Sequence, residues 1–260
     1  QSESEVSNET QIHHEILAWS NVSPVLAISS LLTQQGRTTG QLQFLAYNNN
    51  VQLIFDLSSL LLPPQVTHMN WSPATELLAI AWSDGKISVS NMTDTYDVDS
   101  MAPISCMAWS RDSKVFCCID NKGEIRLYSR ERKRWAKKAT ARVEEGARCV
   151  VGVTVADKED STAPLFAVGG AKARLYFIDA AASIHKVFDA EAAIVKLYEL
   201  KEREALVSLS SDNTLRILTV TGKTQATETK RVKLTGKIDN IRLDLCDGLL
   251  LICNGEKEVR

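Results

Sequence analysis

The strongest constraint on this chain is a phrase that it states twice in nearly the same words. Val66-Thr67-His68-Met69-Asn70-Trp71-Ser72 leads through Leu77-Leu78-Ala79-Ile80-Ala81-Trp82 to Ser83-Asp84-Gly85 and then Lys86-Ile87-Ser88-Val89-Ser90. Ile104-Ser105-Cys106-Met107-Ala108-Trp109-Ser110 leads through Val115-Phe116-Cys117-Cys118-Ile119 to Asp120-Asn121-Lys122-Gly123 and then Glu124-Ile125-Arg126-Leu127-Tyr128. Each copy runs strand pattern, Trp-Ser, short turn, apolar strand, tight turn, third strand. Trp71 and Trp109 stand 38 positions apart, and self-similarity at such a period marks units that bury their faces only by stacking on one another.

Fainter copies extend the pattern. One opens at Ile16-Leu17-Ala18-Trp19-Ser20, with a loop holding Gly36 and Gly40 before its third strand at 41–47. A fourth covers 148–179, a fifth 194–218, and a sixth begins at Ile238 and is unfinished at Arg260. Asp84-Gly85, Asn121 to Gly123, Asp212-Asn213 and Asn254-Gly255 fall at matching places between second and third strands, where a tight hairpin needs residues that tolerate positive φ. The expected fold is all-β, a WD40 β-propeller with six visible blades and the sixth truncated, from a ring that usually has seven. Residues 16–260 form this propeller. Residues 1–15 read as a disordered or linker tail, since 1–11 are polar and acidic with a single apolar residue. The unfinished sixth blade is expected to make this stretch a piece of a longer protein, with an unpaired edge that favours aggregation when isolated.

Composition narrows the function classes. A net charge of -2 gives no global attraction to nucleic acid or an anionic membrane, and no apolar run is long enough for a transmembrane segment. The cysteines at 106, 117, 118, 149, 246 and 253 form no CxxC pair and mostly sit on strand patterns, as buried thiols do in a reducing compartment. No cofactor and no metal are expected: His13 and His14 are adjacent on a strand pattern and face opposite ways, and neither a Gly-x-Ser-x-Gly elbow nor a Walker phosphate loop is present. The chain is expected not to be an enzyme. Trp19, Trp71, Trp82 and Trp109 recur at blade positions and are expected to pack in the core.

One segment stands out as a candidate site. Arg130-Glu131-Arg132-Lys133-Arg134-Trp135-Ala136-Lys137-Lys138 sets six cations against one carboxylate around a tryptophan. As a solvated outermost strand of the third blade, its lysines would discourage edge pairing while Trp135 packs inward. As a docking site, Arg130, Arg132, Lys133, Arg134, Lys137 and Lys138 would meet acidic protein, anionic lipid head groups or RNA, with Trp135 as a stacking or interfacial plane. Protein partners, cargo adaptors and an anionic membrane surface are the expected counterparts, and nucleic acid is not.

Wording near the C-terminus is more specific. Glu202-Arg203-Glu204-Ala205-Leu206-Val207, Arg216-Ile217-Leu218-Thr219-Val220 and Val232-Lys233-Leu234-Thr235-Gly236-Lys237 resemble the N-terminal propeller of the intraflagellar transport protein 140 family. Pro24-Val25-Leu26-Ala27-Ile28 and the blade from Trp71 to Val89 agree with it. The resemblance implies tandem WD40 propellers followed by helical repeats, and a scaffold in the intraflagellar transport A complex. It implies work in retrograde ciliary transport and in admission of membrane cargo, at the cilium, the ciliary base and in the cytoplasm. The partners would be other subunits of that complex, and the resemblance carries over no catalytic residue. Vesicle-coat subunits and ubiquitin-ligase substrate receptors share the architecture and stand as the alternative.

Overall fold

The computed structural model describes residues 11–34, 37–46, 51–56, 64–132, 134–143, 146–153, 164–200, 205–220, 224–235, 242–246 and 249–253. Its regular structure among these is strand throughout. Two compact units divide the chain, Gln1–Ile104 and Ser105–Arg260.

The first unit holds two antiparallel four-stranded sheets. One is β1 (Gln11–Trp19), β2 (Val25–Gln34), β3 (Arg37–Ala46) and β4 (Val51–Asp56); the other is β5 (Val66–Trp71), β6 (Leu78–Trp82), β7 (Lys86–Ser90) and β8 (Thr95–Ser100). The second unit continues with β9 (Ile104–Trp109), β10 (Val115–Asp120), β11 (Glu124–Glu131) and β12 (Arg134–Arg142), then β13 (Ala147–Gly152), β14 (Pro164–Gly170), β15 (Arg174–Asp179) and β16 (Ile184–Asp189). A further sheet is β17 (Ile194–Leu200), β18 (Ala205–Ser210), β19 (Thr214–Val220) and β20 (Ala226–Lys233), followed by the pair β21 (Arg242–Cys246) and β22 (Leu249–Cys253). Each four-stranded sheet is one blade with its strands in chain order.

The repeated words correspond to repeated hydrogen bonds. The serine after each first-strand tryptophan closes the turn to the second strand: backbone N–H groups of Ser20, Ser72 and Ser110 donate to the carbonyls of Val25, Leu77 and Val115 at 2.7–2.9 Å. Side chains add to this, with the Ser72 Oγ accepting from the Thr75 N–H at 3.2 Å and the Ser110 Oγ from the Val115 N–H at 3.0 Å. Serine suits the corner because its hydroxyl satisfies backbone donors that a turn would otherwise leave unpaired.

The turn between second and third strands repeats still more closely. Gly85, Gly123, Ala173 and Asn213 occupy the same position in four blades and all have positive φ, at 85°, 80°, 58° and 64°. Their N–H groups donate to Trp82, Asp120, Gly170 and Ser210, while their carbonyls accept from Met101, Val143, Ala190 and Leu234 just past the outer strand, at 2.7–3.2 Å throughout. Three of these turns were legible as Asp-Gly, Asn-to-Gly and Asp-Asn. Ala173 was not, because its side chain carries no turn signal and the blade imposes the conformation. The Asn254-Gly255 turn lies outside the described residues.

Second strands form the core. β6, β10 and β18 are buried at every position, as strands covered on both faces must be. Val25, Ala27, Leu42, Phe44, Val66, Trp71, Leu78, Ile80 and Trp82 make one cluster in the first unit. In the second unit, Cys117, Ile119, Ile125, Leu127, Phe166 and Val168 belong to one cluster, and Ala167, Phe177, Ile194, Leu206 and Leu218 to the next. Gly152 allows the blades to close up there, since a Cβ at this position would lie 2.3 Å from the Trp109 carbonyl oxygen.

Three sequence expectations change. Trp71, Trp82 and Trp109 are buried, but Trp19 is 63% exposed. Trp71 packs edge-on against Phe44 and donates its indole N–H to the Ala18 carbonyl at 2.8 Å; Trp19 lies with Leu17 on the opposite, open face of β1. β1 starts at Gln11 rather than Ile16, because β2 extends to Gln34 and its backbone pairs as far as Gln11↔Thr33. Gly40 is not in a loop but within β3, paired with Leu31.

Candidate interaction surface

The basic run does not form a single outer strand. Register pairs Arg130 with Trp135 and Glu131 with Arg134, so the run turns back on itself with Arg132 at the bend. Such loops usually carry Asn-Gly or Asp-Gly because both central positions favour positive φ. Here Arg132 adopts φ 45°, a conformation that costs a non-glycine residue about 1 kcal/mol. With no Gly or Asn to signal the turn, the sequence reads as continuous strand. Lys133 lies outside the described residues.

The bend places cations on two strands and a tip. Arg130 ends β11, Arg132 sits at the turn, and Arg134, Lys137 and Lys138 lead β12; all five are exposed. Cross-strand partners share a face, so Arg130, Trp135, Tyr128 and Lys137 lie on one side of the hairpin and Glu131, Arg134 and Ala136 on the other. A register shift opposite Leu127 and Tyr128 leaves Lys138 unpaired at a bulge.

Trp135 anchors the hairpin. Its ring lies 5.2 Å from those of both Trp109 and Phe116, edge-on, and Phe116 stacks on Tyr128 at 4.7 Å with planes 20° apart. Offset and edge-on contacts of this kind are favoured by the aromatic quadrupole. The half-buried indole thus holds β12 against β9, β10 and β11, and leaves the cations to face solvent.

Neighbouring blades provide an internal comparison. On β16, Lys186 is 2.8 Å from Asp189. On β20, Arg231 reaches Glu191 at 2.8 Å and Glu228 at 2.7 Å, and Lys233 reaches Asp212 at 3.1 Å. These outer-strand cations are neutralised within their own blade. Among the described residues, Arg130, Arg132, Arg134, Lys137 and Lys138 form no ion pair. A solvated outer strand accounts for β16 and β20; the uncompensated charge on the β11–β12 hairpin is a local positive field on a chain whose net charge is -2.

The rest of the described surface offers little for reaction chemistry. Burial pushes the thiols of Cys106 and Cys117 well above their ordinary range, with nearby cysteines adding to the effect, and burial pushes Cys149 up to about 12. None is a ready nucleophile near neutral pH. No group of three or more His, Cys, Asp or Glu residues that could hold a metal ion occurs among the described residues. His68 has its Nδ1 3.2 Å from the Thr67 hydroxyl, within its own blade. A cleft bordered by Gly169, Gly170, Lys172, Arg174 and Tyr176 has room for about one water molecule. No helix of the described residues is long and apolar enough to cross a membrane.

Comparison with solved structures supports the fold. A chain of the structure described as "Crystal Structure of Mitotic Checkpoint Complex" superposes with a TM-score of 0.60 over 100% of this chain and 94% of that one, at 14% identity. At that identity the likeness carries the WD40 propeller architecture alone. The family comparison is more specific and begins within the hairpin just described, matching the model named "IFT140 first beta-propeller" over residues 132–260. The chain has the fold of a WD40 β-propeller, and the family likeness of residues 132–260 is to the IFT140 first β-propeller.

Proposed function

We propose that this chain is a non-catalytic docking module of the intraflagellar transport A complex, acting in retrograde ciliary transport and in admission of membrane cargo to the cilium. The observation that carries this reading is the match of residues 132–260 to the IFT140 first β-propeller. Its blades supply a rigid platform whose core is filled by its own side chains, so recognition falls to turns and outer strands. Partners are other subunits of the complex, with cargo adaptors or an anionic surface as counterparts of Arg130, Arg132, Lys133, Arg134, Trp135, Lys137 and Lys138. It works at the ciliary base, in the cilium and in the surrounding cytoplasm.

Affinity purification of the tagged protein from ciliated cells tests the proposal. Recovery of intraflagellar transport A subunits, with fluorescence at the ciliary base, is the expected result. Recovery of vesicle-coat or ubiquitin-ligase subunits in their place would overturn it.

A further inference from the structure

We propose that the β11–β12 hairpin docks an extended acidic segment of a protein partner, which adds along the open edge of β12. The inference rests on the scaffold reading and specifies the partner's chemistry at one surface.

Three features lead to it. β12 is the terminal strand of its sheet, paired only with β11, and runs nine residues. A strand edge presents a row of backbone donors and acceptors to any incoming chain. Lysines normally protect such an edge, yet Lys186 on β16 and Arg231 and Lys233 on β20 are held by carboxylates of their own blade. Arg134, Lys137 and Lys138 of β12 form no ion pair among the described residues, although Glu131 stands opposite Arg134, and a ligand that brings its own carboxylates would complete the pattern.

The arrangement of charge selects a strand-like ligand over a lipid surface. Arg130 and Lys137 face one side of the hairpin while Arg134 faces the other. A flat bilayer meets one side only. An added strand projects alternate side chains to both faces, so acidic residues along it reach both sets of cations at once. A membrane-binding hairpin would also present an apolar or aromatic side chain for insertion. The exposed large apolar residues, Leu17, Trp19, Val22, Tyr96 and Val232, all lie outside it, and Trp135 is held against Trp109 and Phe116.

The test uses the purified protein and a fluorescein-labelled peptide in which pairs of glutamates alternate with pairs of threonines, so that an added strand carries carboxylates on both faces, matched to the nine residues of β12. Anisotropy is expected to show salt-sensitive binding, weakened about tenfold or more in Arg134→Glu/Lys137→Glu. Lys230→Glu, which reverses an exposed cation on β20, is expected to leave it unchanged. A peptide N-methylated at alternate amides is expected to lose binding, since one ladder of backbone bonds is removed. Circular dichroism checks that the variants fold, and a glutamine version of the double variant repeats the measurement without introducing new carboxylates.

No binding of the peptide overturns the proposal, as does equal loss in the hairpin and β20 variants. Co-sedimentation with phosphatidylserine vesicles in place of peptide binding also overturns it and assigns the surface to membrane. Unchanged affinity for the N-methylated peptide removes strand addition. Recovery of transport subunits is scored separately: a hairpin variant that loses the peptide but keeps the subunits upholds this inference, and wild-type protein that binds the peptide but recovers no such subunits upholds it while overturning the transport assignment.

Discussion

One carboxylate in the fifth blade touches two arginines in opposite surroundings, and this allows burial to be tested as the factor that sets ion-pair strength. Glu228 lies 3.2 Å from the Nε of Arg216, which is fully buried, and 2.7 Å from the Nε of Arg231, whose side chain is 49% exposed. Arg216 also donates to the Ser210 hydroxyl at 2.8 Å and pairs with Glu191. Its Nε contact with Glu228 is ionic without an aligned hydrogen bond. At an effective dielectric of about 20 the Arg216 pair has a gross attraction of about 5 kcal/mol, whereas solvent screens most of the attraction at Arg231. Desolvation and side-chain ordering offset much of each. Double-mutant cycles with Arg216→Met, Arg231→Met and Glu228→Gln, read by urea unfolding, are expected to give coupling of about 2 kcal/mol for the buried pair and a clearly smaller one for the exposed pair. Arg216→Lys is expected to fall short of wild type, because an ammonium cannot reach Ser210, Glu191 and Glu228 together. Equal couplings, or the larger one at Arg231, would refute the claim that burial decides the difference.

The shared turn position yields a contrast: Gly85→Ala is expected to lower stability by about 2–4 kcal/mol, since its Cβ would lie 1.9 Å from the Met101 oxygen at φ 85°, while Ala173→Gly at φ 58° is expected to stay within about 1 kcal/mol of wild type. Similar melting temperatures for the two variants would contradict this. Asp212, held at about 2 by hydrogen bonds from Thr214 and then Lys233, has a folded pKa below its unfolded value near 4; its contribution is present above pH 4 and lost as pH falls toward 2, so Asp212→Asn is expected to flatten the melting temperature over that window. Iodoacetamide at pH 8, followed by mass spectrometry, is expected to label Cys106 and Cys117 far more slowly in native than in urea-unfolded protein; rapid native labelling would show that these strands open.

Much of the architecture was legible because its signals are local. Trp-Ser before an apolar run states a serine-closed corner, and Asp84-Gly85 or Asp212-Asn213 states a turn that needs positive φ. The bend at Arg132 and the turn at Ala173 were illegible because neither has the residue chemistry that normally marks the conformation; there the paired strands leave the backbone no other course. The cationic content of 130–138 was plain from the sequence, but whether those charges were already neutralised was not. Lys186 has Asp189 three residues away on its own strand, but Lys233 looks no different in sequence from Lys137 and Lys138, and only folding brings Asp212 to it.

By itself the sequence determined the repeat, the strand periods and the four-stranded unit, since each follows from contacts within a few residues or one hairpin. Tertiary structure alone decided that Trp71 is covered while Trp19 is open, that Arg216 is buried among two glutamates and a serine, and that Arg130, Arg132, Arg134, Lys137 and Lys138 form no ion pair among the described residues. Those outcomes depend on which side chains distant segments bring within a few ångströms. Covalent order fixes the period of a pattern, but the company each side chain keeps is settled only when the blades pack.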